Sequence, residues 1–268
     1  MITLPKDLSV LKTLIVNVVM VGQPGSPEWV LIDAGIPGFA HAILEQAEER
    51  FGKGIAPKAI LLTHGHFDHL GSLEKLLDSW DVPIYVSTEE IPYVTGMKDY
   101  PKPDPEVGGG LMSMVSPLYP YQAYDFGERV RPLPEDGSIP FMQGWHWIST
   151  PGHTPGHISL YRESDRTLIA GDAFITVKQE SAFAVLTQEV EVHGPPTYFT
   201  PDWEQARISV QRLAALRPEL AITGHGLPLS GSLLRTGLEE LARDFEKKAI
   251  PEHGRYVPPK DESKSTRM

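Results

Sequence analysis

The sequence predicts an α/β protein in which helices cover two β-sheets, so that the fold has four layers. Three observations lead to this prediction. Apolar, β-branched segments alternate with amphipathic helical segments up to about residue 94. A second series of strands and helices begins at about residue 129. In both series, histidine or aspartate follows apolar strands directly, and two halves that face one another would bring those strand ends together.

The first series begins with a predicted hairpin around the turn at residues 23–27. Its strands are rich in β-branched and apolar residues, whereas its helices carry apolar residues at helical spacing among charged ones. In chain order we predict strand 14–21, strand 28–33, helix 39–51, strand 59–63, helix 70–79, strand 83–87 and helix 88–94.

Residues 95–128 interrupt this alternation. Several prolines and the run Gly108–Gly110 exclude regular structure, yet a disordered linker would contain fewer aromatic residues and methionines. We therefore interpret residues 95–128 as an insertion that folds over a cavity, as a lid or as the wall of a substrate pocket. A plain surface excursion or a dimer contact is the alternative.

The second series consists of short strands separated by turns, together with two longer helices. Pro201 and Asp202 are typical of a helix start, whereas residues 174–183 favour neither helix nor strand. We expect a single domain over residues 1–250 and a flexible C-terminal tail over residues 251–268. In chain order we predict strands 130–133, 145–149, 158–161 and 167–170, helix 202–216, strand 219–223 and helix 232–249.

Composition and charge exclude several classes of function. The chain has a net charge of −11, so we expect no electrostatic attraction to nucleic acid. No apolar run reaches the roughly 18 residues of a membrane span, and the N-terminus lacks the pattern of a signal peptide. We therefore expect a cytoplasmic monomer or homodimer that acts on a small-molecule substrate without a membrane. There are no cysteines, so nitrogen and oxygen must hold any metal.

A dense group of candidate metal ligands follows the apolar run Ala59–Leu62. His64, His66, Asp68 and His69 lie within six residues. A regular α-helix would point them in different directions, whereas a turned loop at a strand end can direct several into one cavity. The pattern therefore predicts a metal site, rather than a surface loop that happens to contain histidine.

Three further strand ends carry candidate ligands next to glycine. His153 lies in the segment 150–157, Asp172 follows the apolar strand at 167–170, and His225 lies between Gly224 and Gly226. Glycine permits a close approach of the backbone and unusual dihedral angles. A single histidine or aspartate at a strand end is usually an ordinary polar residue, but seven in this order indicate a metal centre.

These motifs resemble those of the metallo-β-lactamase fold superfamily of hydrolases. The resemblance extends over about residues 14–230, and it is specific for the fold but not for the substrate. The matching segments are Thr63–His69, Pro151–His157, Gly171–Asp172, Gly224–Gly226 and, more weakly, Asp33–Gly35.

The resemblance implies an αββα sandwich with a dinuclear metal centre at one edge of its sheets. His64, His66 and His153 would hold one metal, Asp68, His69 and His225 the other, and Asp172 would bridge both. The two divalent ions would be Zn²⁺, or alternatively iron or manganese. A hydroxide shared by the two ions would attack the substrate. From its position, we interpret Asp68 as a catalytic residue that could pass a proton to the leaving group.

Residues beyond the ligand set are also candidates. We expect Asp33 and His157 to orient ligands, and we expect an apolar, aromatic pocket for a small ester, lactone or thioester. The predicted pocket residues are Phe67, Phe174, Tyr198, Phe199, Tyr119 and Tyr121.

The resemblance does not choose between the subfamilies. Glyoxalase-II-like thioesterases share the pattern of residues 151–157, whereas lactonases of this fold have a tyrosine where this chain has Ile175. A phosphodiesterase, a persulfide dioxygenase with a single iron, and a non-catalytic scaffold are the alternatives. The full set of seven ligands favours a hydrolase with two metals.

Overall fold

A computed structural model describes residues 2–107, 115–177 and 191–259. One mixed sheet has six strands in the order β1-β2-β3-β4-β5-β6. β1, β2 and β3 pair antiparallel, and β3 to β6 are parallel to one another. Its strands are β1 (Leu8–Thr13), β2 (Val16–Val21), β3 (Val30–Ile32), β4 (Ala59–Leu61), β5 (Ile84–Val86) and β6 (Val130–Pro132).

The second sheet has five strands in the order β11-β10-β9-β8-β7. β9 and β10 are parallel, and the other neighbouring strands are antiparallel. Its strands are β7 (Trp145–Ser149), β8 (Ile158–Arg162), β9 (Thr167–Gly171), β10 (Leu220–Thr223) and β11 (Leu229–Ser230).

The helices range from a single turn to nearly four turns. Asp202 caps the helix that follows it, because its side chain accepts a hydrogen bond from the backbone N–H of Gln205. Among the described residues, no helix is long and apolar enough to cross a membrane. The α-helices of the described residues are α1 (Ala40–Phe51), α2 (Phe67–Leu70), α3 (Leu73–Leu77), α4 (Ile91–Val94), α5 (Trp203–Ala215), α6 (Gly231–Arg243) and α7 (Phe245–Lys248).

Three apolar clusters confirm the predicted four layers. Side chains alternate along each strand, so Ile60 packs towards α1 and α3 while its neighbour Leu61 packs between the sheets. In the second sheet, Ile169 likewise packs between the sheets, and Leu168 packs towards α5 and α6. One cluster therefore lies between the sheets and one on each outer face, which gives the αββα arrangement.

Three sequence predictions about elements are corrected. The strand predicted over residues 14–21 begins only at Val16, because Leu14 adopts a positive φ of 68° in the turn before it. This turn joins it to β1, which pairs with it as a hairpin and is absent from the prediction. The predicted helix 70–79 is divided between α2, which starts at Phe67 and ends at Leu70, and α3, which spans Leu73–Leu77. The predicted helix 232–249 divides at Asp244 into α6 and α7.

The two ends of the predicted insertion meet. Thr95 and Asp125 form an isolated antiparallel bridge, and the backbone N–H of Gly96 donates to the carbonyl of Tyr124 at 2.7 Å. The middle of the insertion, residues 108–114, lies outside the described residues, as does much of the ambiguous segment 174–183.

The predicted loose tail is partly packed against this insertion. The hydroxyl of Tyr256 donates to the carbonyl of Lys102 at 2.8 Å, and the backbone N–H of Arg255 donates to the Asp104 carboxylate. Val257 packs against a small aromatic cluster that contains Phe199. Residues 251–259 therefore contact both the insertion and the aromatic cluster.

Candidate metal centre

Seven side chains from both sheets converge at one edge of the sandwich. They form three groups of three, and within each group the candidate ligand atoms lie within 4.8 Å of one another. All seven side chains are buried, and Asp68, at 7% exposure, is the most accessible. The groups are His64 with His66 and His153, Asp68 with His69 and His225, and His64 with His69 and Asp172.

Asp172 lies between the first two groups. Its Oδ2 is 3.1 Å from Nε2 of His225 and 3.5 Å from Nε2 of both His69 and His153. His153 belongs to one group, and His69 and His225 belong to the other. The carboxylate of Asp172 can therefore contact cations in both groups, as expected for a bridging ligand.

The local backbone explains how four ligands of one short segment reach a single cavity. His64 follows β4, and His66 has an extended conformation, with φ −68° and ψ 152°, immediately before α2. Asp68 and His69 then lie on the single turn of α2. An extended segment followed by one helical turn places all four residues on the cavity, which neither a regular strand nor a long helix would do.

Backbone and side-chain acceptors fix the orientation of the imidazole rings. Nδ1 of His225 lies 2.9 Å from the carbonyl of Ile15, and Nδ1 of His69 lies 2.8 Å from Oδ2 of Asp33. Since these oxygens can only accept, each Nδ1 carries a proton, and Nε2 of each ring faces the cavity and the Oδ2 atom of Asp172. In both rings Nε2 is therefore the nitrogen that a metal at this site would bind.

Asp33 contacts two residues of the first ligand segment. Its two carboxylate oxygens accept hydrogen bonds from the backbone N–H and the hydroxyl of Thr63, both at 2.8 Å, besides the bond from His69. The Thr63 hydroxyl in turn lies 3.1 Å from Nδ1 of His64. Asp33 thereby holds the strand end that leads into the ligand segment.

His157 acts on the backbone of Asp172 rather than on a cation. Its Nε2 accepts a hydrogen bond from the backbone N–H of Asp172 at 2.8 Å, so its proton is on Nδ1, which faces the carbonyl of Thr150 at 3.1 Å. Gly171 permits this approach, because it has a φ of 54° and a Cβ there would lie 2.6 Å from the His157 ring. His157 therefore positions the backbone of Asp172.

Burial and charge divide the histidines into two kinds. Burial lowers the pKa of His64 and His153, and it lowers the pKa of His66 to about 3. Burial opposes the charged form of His69 as well, but the Asp172 and Asp33 carboxylates raise the pKa of that imidazole well above its ordinary value. Despite burial, neighbouring histidines hold the pKa of Asp172 well below its usual range. The three-histidine group is thus neutral and lies beside an anionic carboxylate.

The donor atoms fit two divalent cations. Within the described part of the chain, Nε2 of His64, Nε2 of His69 and Oδ1 of Asp172 are buried without a hydrogen-bond partner. Buried polar atoms without a partner are rare and costly, and a cation would satisfy all three. A set of imidazole nitrogens and carboxylate oxygens suits zinc, iron or manganese.

An aromatic wall borders the three-histidine group. The ring of Phe199 stacks on the ring of His66, with centroids 4.4 Å apart. Tyr119 lies 5.5 Å from Phe67 and 5.7 Å from Tyr198 between ring centroids. Burial, followed by the charge of Asp68, raises the pKa of the Tyr119 hydroxyl. The insertion thus contributes at least Tyr119 to the wall of the site.

Two of the predicted pocket residues lie elsewhere. Phe174 is fully buried in the apolar cluster under α5 and α6, because it faces the outer side of the second sheet. Tyr121 carries the ammonium group of Lys102 over its ring at 5.8 Å from the centroid. Phe174 therefore belongs to the core, and the described contacts place Tyr121 beside Lys102 on the insertion.

Several residues near the site carry no signal in the sequence. Glu90 and Tyr100 contact the backbone of Gly65, and the hydroxyl of Thr200 lies 3.4 Å from Nδ1 of His153. None of the three belongs to a recognisable motif. Only the proximity of Glu90 to a strand end could have suggested a role for it.

Comparisons with known proteins agree with this geometry. A sequence profile of the metallo-beta-lactamase superfamily matches residues 11–225. The chain is 53% identical over 229 residues to the probable metallo-hydrolase YflN of Bacillus subtilis (strain 168), covering 85% of this chain and 87% of that protein. It is 33% identical over 196 residues to the probable metallo-hydrolase YybB of the same organism, covering 73% and 74% respectively.

A similar solved structure is the crystal structure of TTHA1623 in a di-iron-bound form. It superposes with a TM-score of 0.55 at 26% sequence identity, and the match covers 88% of this chain and 96% of TTHA1623.

Proposed function

The chain is a metallo-hydrolase that belongs to the metallo-beta-lactamase superfamily, and on this premise we propose that it uses two divalent metal ions to cleave an ester-like bond of a small molecule. The bond is that of a lactone, a thioester or another carboxylic ester.

One observation carries the two-metal proposal. The site contains two separate groups of three ligands, and the carboxylate of Asp172 lies within 3.5 Å of histidines from both. A centre with a single iron would need only one such group, so the second group would have no purpose. The crystal structure of TTHA1623 in a di-iron-bound form also supports a centre with two metals.

The residues of the site divide the work between them. Divalent ions bound there would lower the pKa of a water molecule and polarise a substrate carbonyl. The anionic Asp172 offsets positive charge between the two groups, while the hydrogen bonds of Nδ1 in His69 and His225 keep Nε2 of these two rings directed inwards. Asp68 is the most accessible of the seven side chains, and its Oδ2 lies 3.4 Å from Nε2 of His225. From this position it can accept a proton and pass it to a leaving group.

The wall of the site supports a substrate with an apolar part. Phe67, Tyr119, Tyr198 and Phe199 cover one side of the three-histidine group. Aromatic rings in a concave site favour an acyl or ring moiety and exclude water from it. The net charge of −11 disfavours a nucleic-acid substrate. We propose zinc as the metal, since its preferences match a set of five imidazoles and two carboxylates, with iron as the alternative.

The test is metal analysis combined with a hydrolysis panel. Purified protein should contain two metal ions per chain and should hydrolyse at least one member of a panel of lactones, thioesters and carboxylic esters. His64→Ala should lose mainly the metal of the three-histidine group, and His225→Ala mainly the other. One metal per chain with oxygen uptake would contradict the proposal, as would two metals without hydrolysis of any panel member.

A further inference from the structure

Glu90 is a fully buried carboxylate that belongs to neither ligand group. It follows β5 and has 0% exposure, whereas its neighbour Glu89 is exposed. A buried carboxylate is costly unless donors surround it. The donors around Glu90 therefore indicate what this residue does.

Those donors come from both segments that supply the three-histidine group. Oε1 of Glu90 accepts a hydrogen bond from the backbone N–H of Gly65 at 3.0 Å, and Gly65 lies between His64 and His66. Oε2 accepts a hydrogen bond from the hydroxyl of Thr154 at 3.1 Å, and Thr154 follows His153. One carboxylate thus joins two segments from different sheets at the positions next to their ligands.

The glycines of the two segments fit this arrangement. A Cβ on Gly156 would lie 2.5 Å from Oε2 of Glu90, and a Cβ on Gly65 would lie 2.7 Å from the hydroxyl oxygen of Tyr100. Any side chain at these positions would force the segments away from the carboxylate. The glycines are therefore needed for the close contact with Glu90 and Tyr100, independently of any effect on the ligands themselves.

Tyr100 extends the link to the insertion. Its hydroxyl accepts from the backbone N–H of Gly65 at 3.0 Å and donates to Oε1 of Glu90. Its ring centroid lies 4.6 Å from that of His66. The insertion and the first ligand segment therefore share one buried polar network.

We propose that Glu90 is a positioning residue that sets the metal affinity of the group His64, His66 and His153, and not that of the group Asp68, His69 and His225. The inference rests on the two-metal centre of the proposed function. Without the carboxylate, the hydroxyl of Thr154 loses its acceptor and the backbone N–H of Gly65 keeps only the Tyr100 hydroxyl, so the two segments are no longer held at a fixed separation. The contacts of Glu90 with the ligand segments are next to His64, His66 and His153, so the effect is confined to that group.

The experiment isolates each group before Glu90 is changed. His225→Ala leaves the three-histidine group as the better site, and His153→Ala leaves the other group. Glu90→Gln is introduced into each background, and zinc affinity is measured by competition with a chelator of known affinity. Glu89→Gln, which changes an exposed neighbour in the same way, is the matched control.

Glu90→Gln should weaken zinc binding about 10- to 100-fold in the His225→Ala background. In the His153→Ala background it should change zinc binding less than about threefold, as should Glu89→Gln in both backgrounds. An equal effect of Glu90→Gln in both backgrounds, or no effect in either, would overturn the inference.

A milder variant covers the case in which Glu90→Gln does not fold. Thr154→Val removes one donor and keeps the carboxylate, and it should weaken zinc binding about fivefold in the His225→Ala background only. An unchanged affinity there would overturn the inference. Zinc binding does not depend on turnover, so a wild-type protein that binds two zinc ions and hydrolyses nothing would contradict the proposed function alone.

Discussion

Oδ2 of Asp33 accepts a hydrogen bond from Nδ1 of His69 at 2.8 Å, although the two residues are 36 positions apart in the chain. The same carboxylate holds Thr63, whose hydroxyl lies 3.1 Å from Nδ1 of His64. Asp33 therefore reaches one histidine of each ligand group. Glu90, by contrast, accepts hydrogen bonds from Gly65 and Thr154, which are next to the ligands of the three-histidine group.

Asp33→Asn should weaken both metals together. Asparagine has only one side-chain oxygen, so it cannot accept all three hydrogen bonds that Thr63 and His69 donate to Asp33. The ring of His69 and the backbone at Thr63 therefore lose their fixed orientation. We expect about 10- to 100-fold weaker zinc binding in both the His225→Ala and the His153→Ala backgrounds, measured by chelator competition. The exposed Asp78→Asn is the control, and a loss confined to one background would contradict the shared role.

The metal-free protein should lose stability in acid, in part through His157. Burial lowers the pKa of His157 to about 4 from an ordinary value of 6.5. The unfolded chain takes up this proton as the pH falls below 6.5, whereas the folded chain does not until about pH 4. The contribution of His157 to the free energy of unfolding is therefore fully present above pH 6.5. About 3 kcal/mol is lost as the pH falls from 6.5 to about 4.

His157→Gln tests that assignment. Its free energy of unfolding, measured by urea denaturation of metal-stripped protein at pH 7 and pH 4.5, should fall less on acidification than that of the wild type. His41→Gln changes an exposed histidine and should leave the acid dependence unchanged. His69 and His225 have raised pKa values and act in the opposite direction, which is why the comparison is made between variants. Identical pH dependence in wild type and His157→Gln would show that His157 is not responsible.

Tyr119→Ala should weaken catalysis without loss of metal. The Tyr119 ring packs against Phe67, Tyr198 and Phe199, so its removal opens the aromatic wall next to the site. We expect kcat/KM for an apolar ester or lactone to fall about tenfold, through KM, with an unchanged metal content. Tyr121→Ala is the matched control, because that ring lies over Lys102. Equal effects of the two substitutions would argue against a pocket wall at Tyr119.

The segment 251–259 should support the same wall. Truncation after Ile250 removes the bonds of Arg255 and Tyr256 to the insertion and the packing of Val257 beside Phe199. We expect a loss of about 2 kcal/mol, seen as a fall of about 5 °C in Tm, together with a higher KM. Truncation after Pro259 keeps all of these contacts and should behave like the full chain. If KM is the same after both truncations, the segment 251–259 does not support the substrate pocket.

The sequence predicted the ligands better than it predicted their support. His64, Asp172 and His225 follow apolar strands and lie beside glycine, so local pattern was sufficient to select them. Glu90 lies in Thr88–Glu90, which has the composition of an ordinary helix start, and Tyr100 lies in a proline-rich stretch. Their importance arises from partners far away in the chain, such as Thr154, 64 positions from Glu90. No local pattern encodes such contacts.

The sequence by itself determined the layered α/β fold and the seven candidate ligands, because the strand period and the position of polar residues at strand ends are local properties. The resemblance to a known superfamily implied how those ligands are divided, and only the tertiary structure shows the distances between them. The packing of two sheets brings Asp172 between His69 and His153, and it directs Phe174 into the core while Tyr119 reaches the site. Separations of 3 to 4 Å between residues on different sheets depend on the packing of the whole sandwich, and that packing is a property of the complete fold.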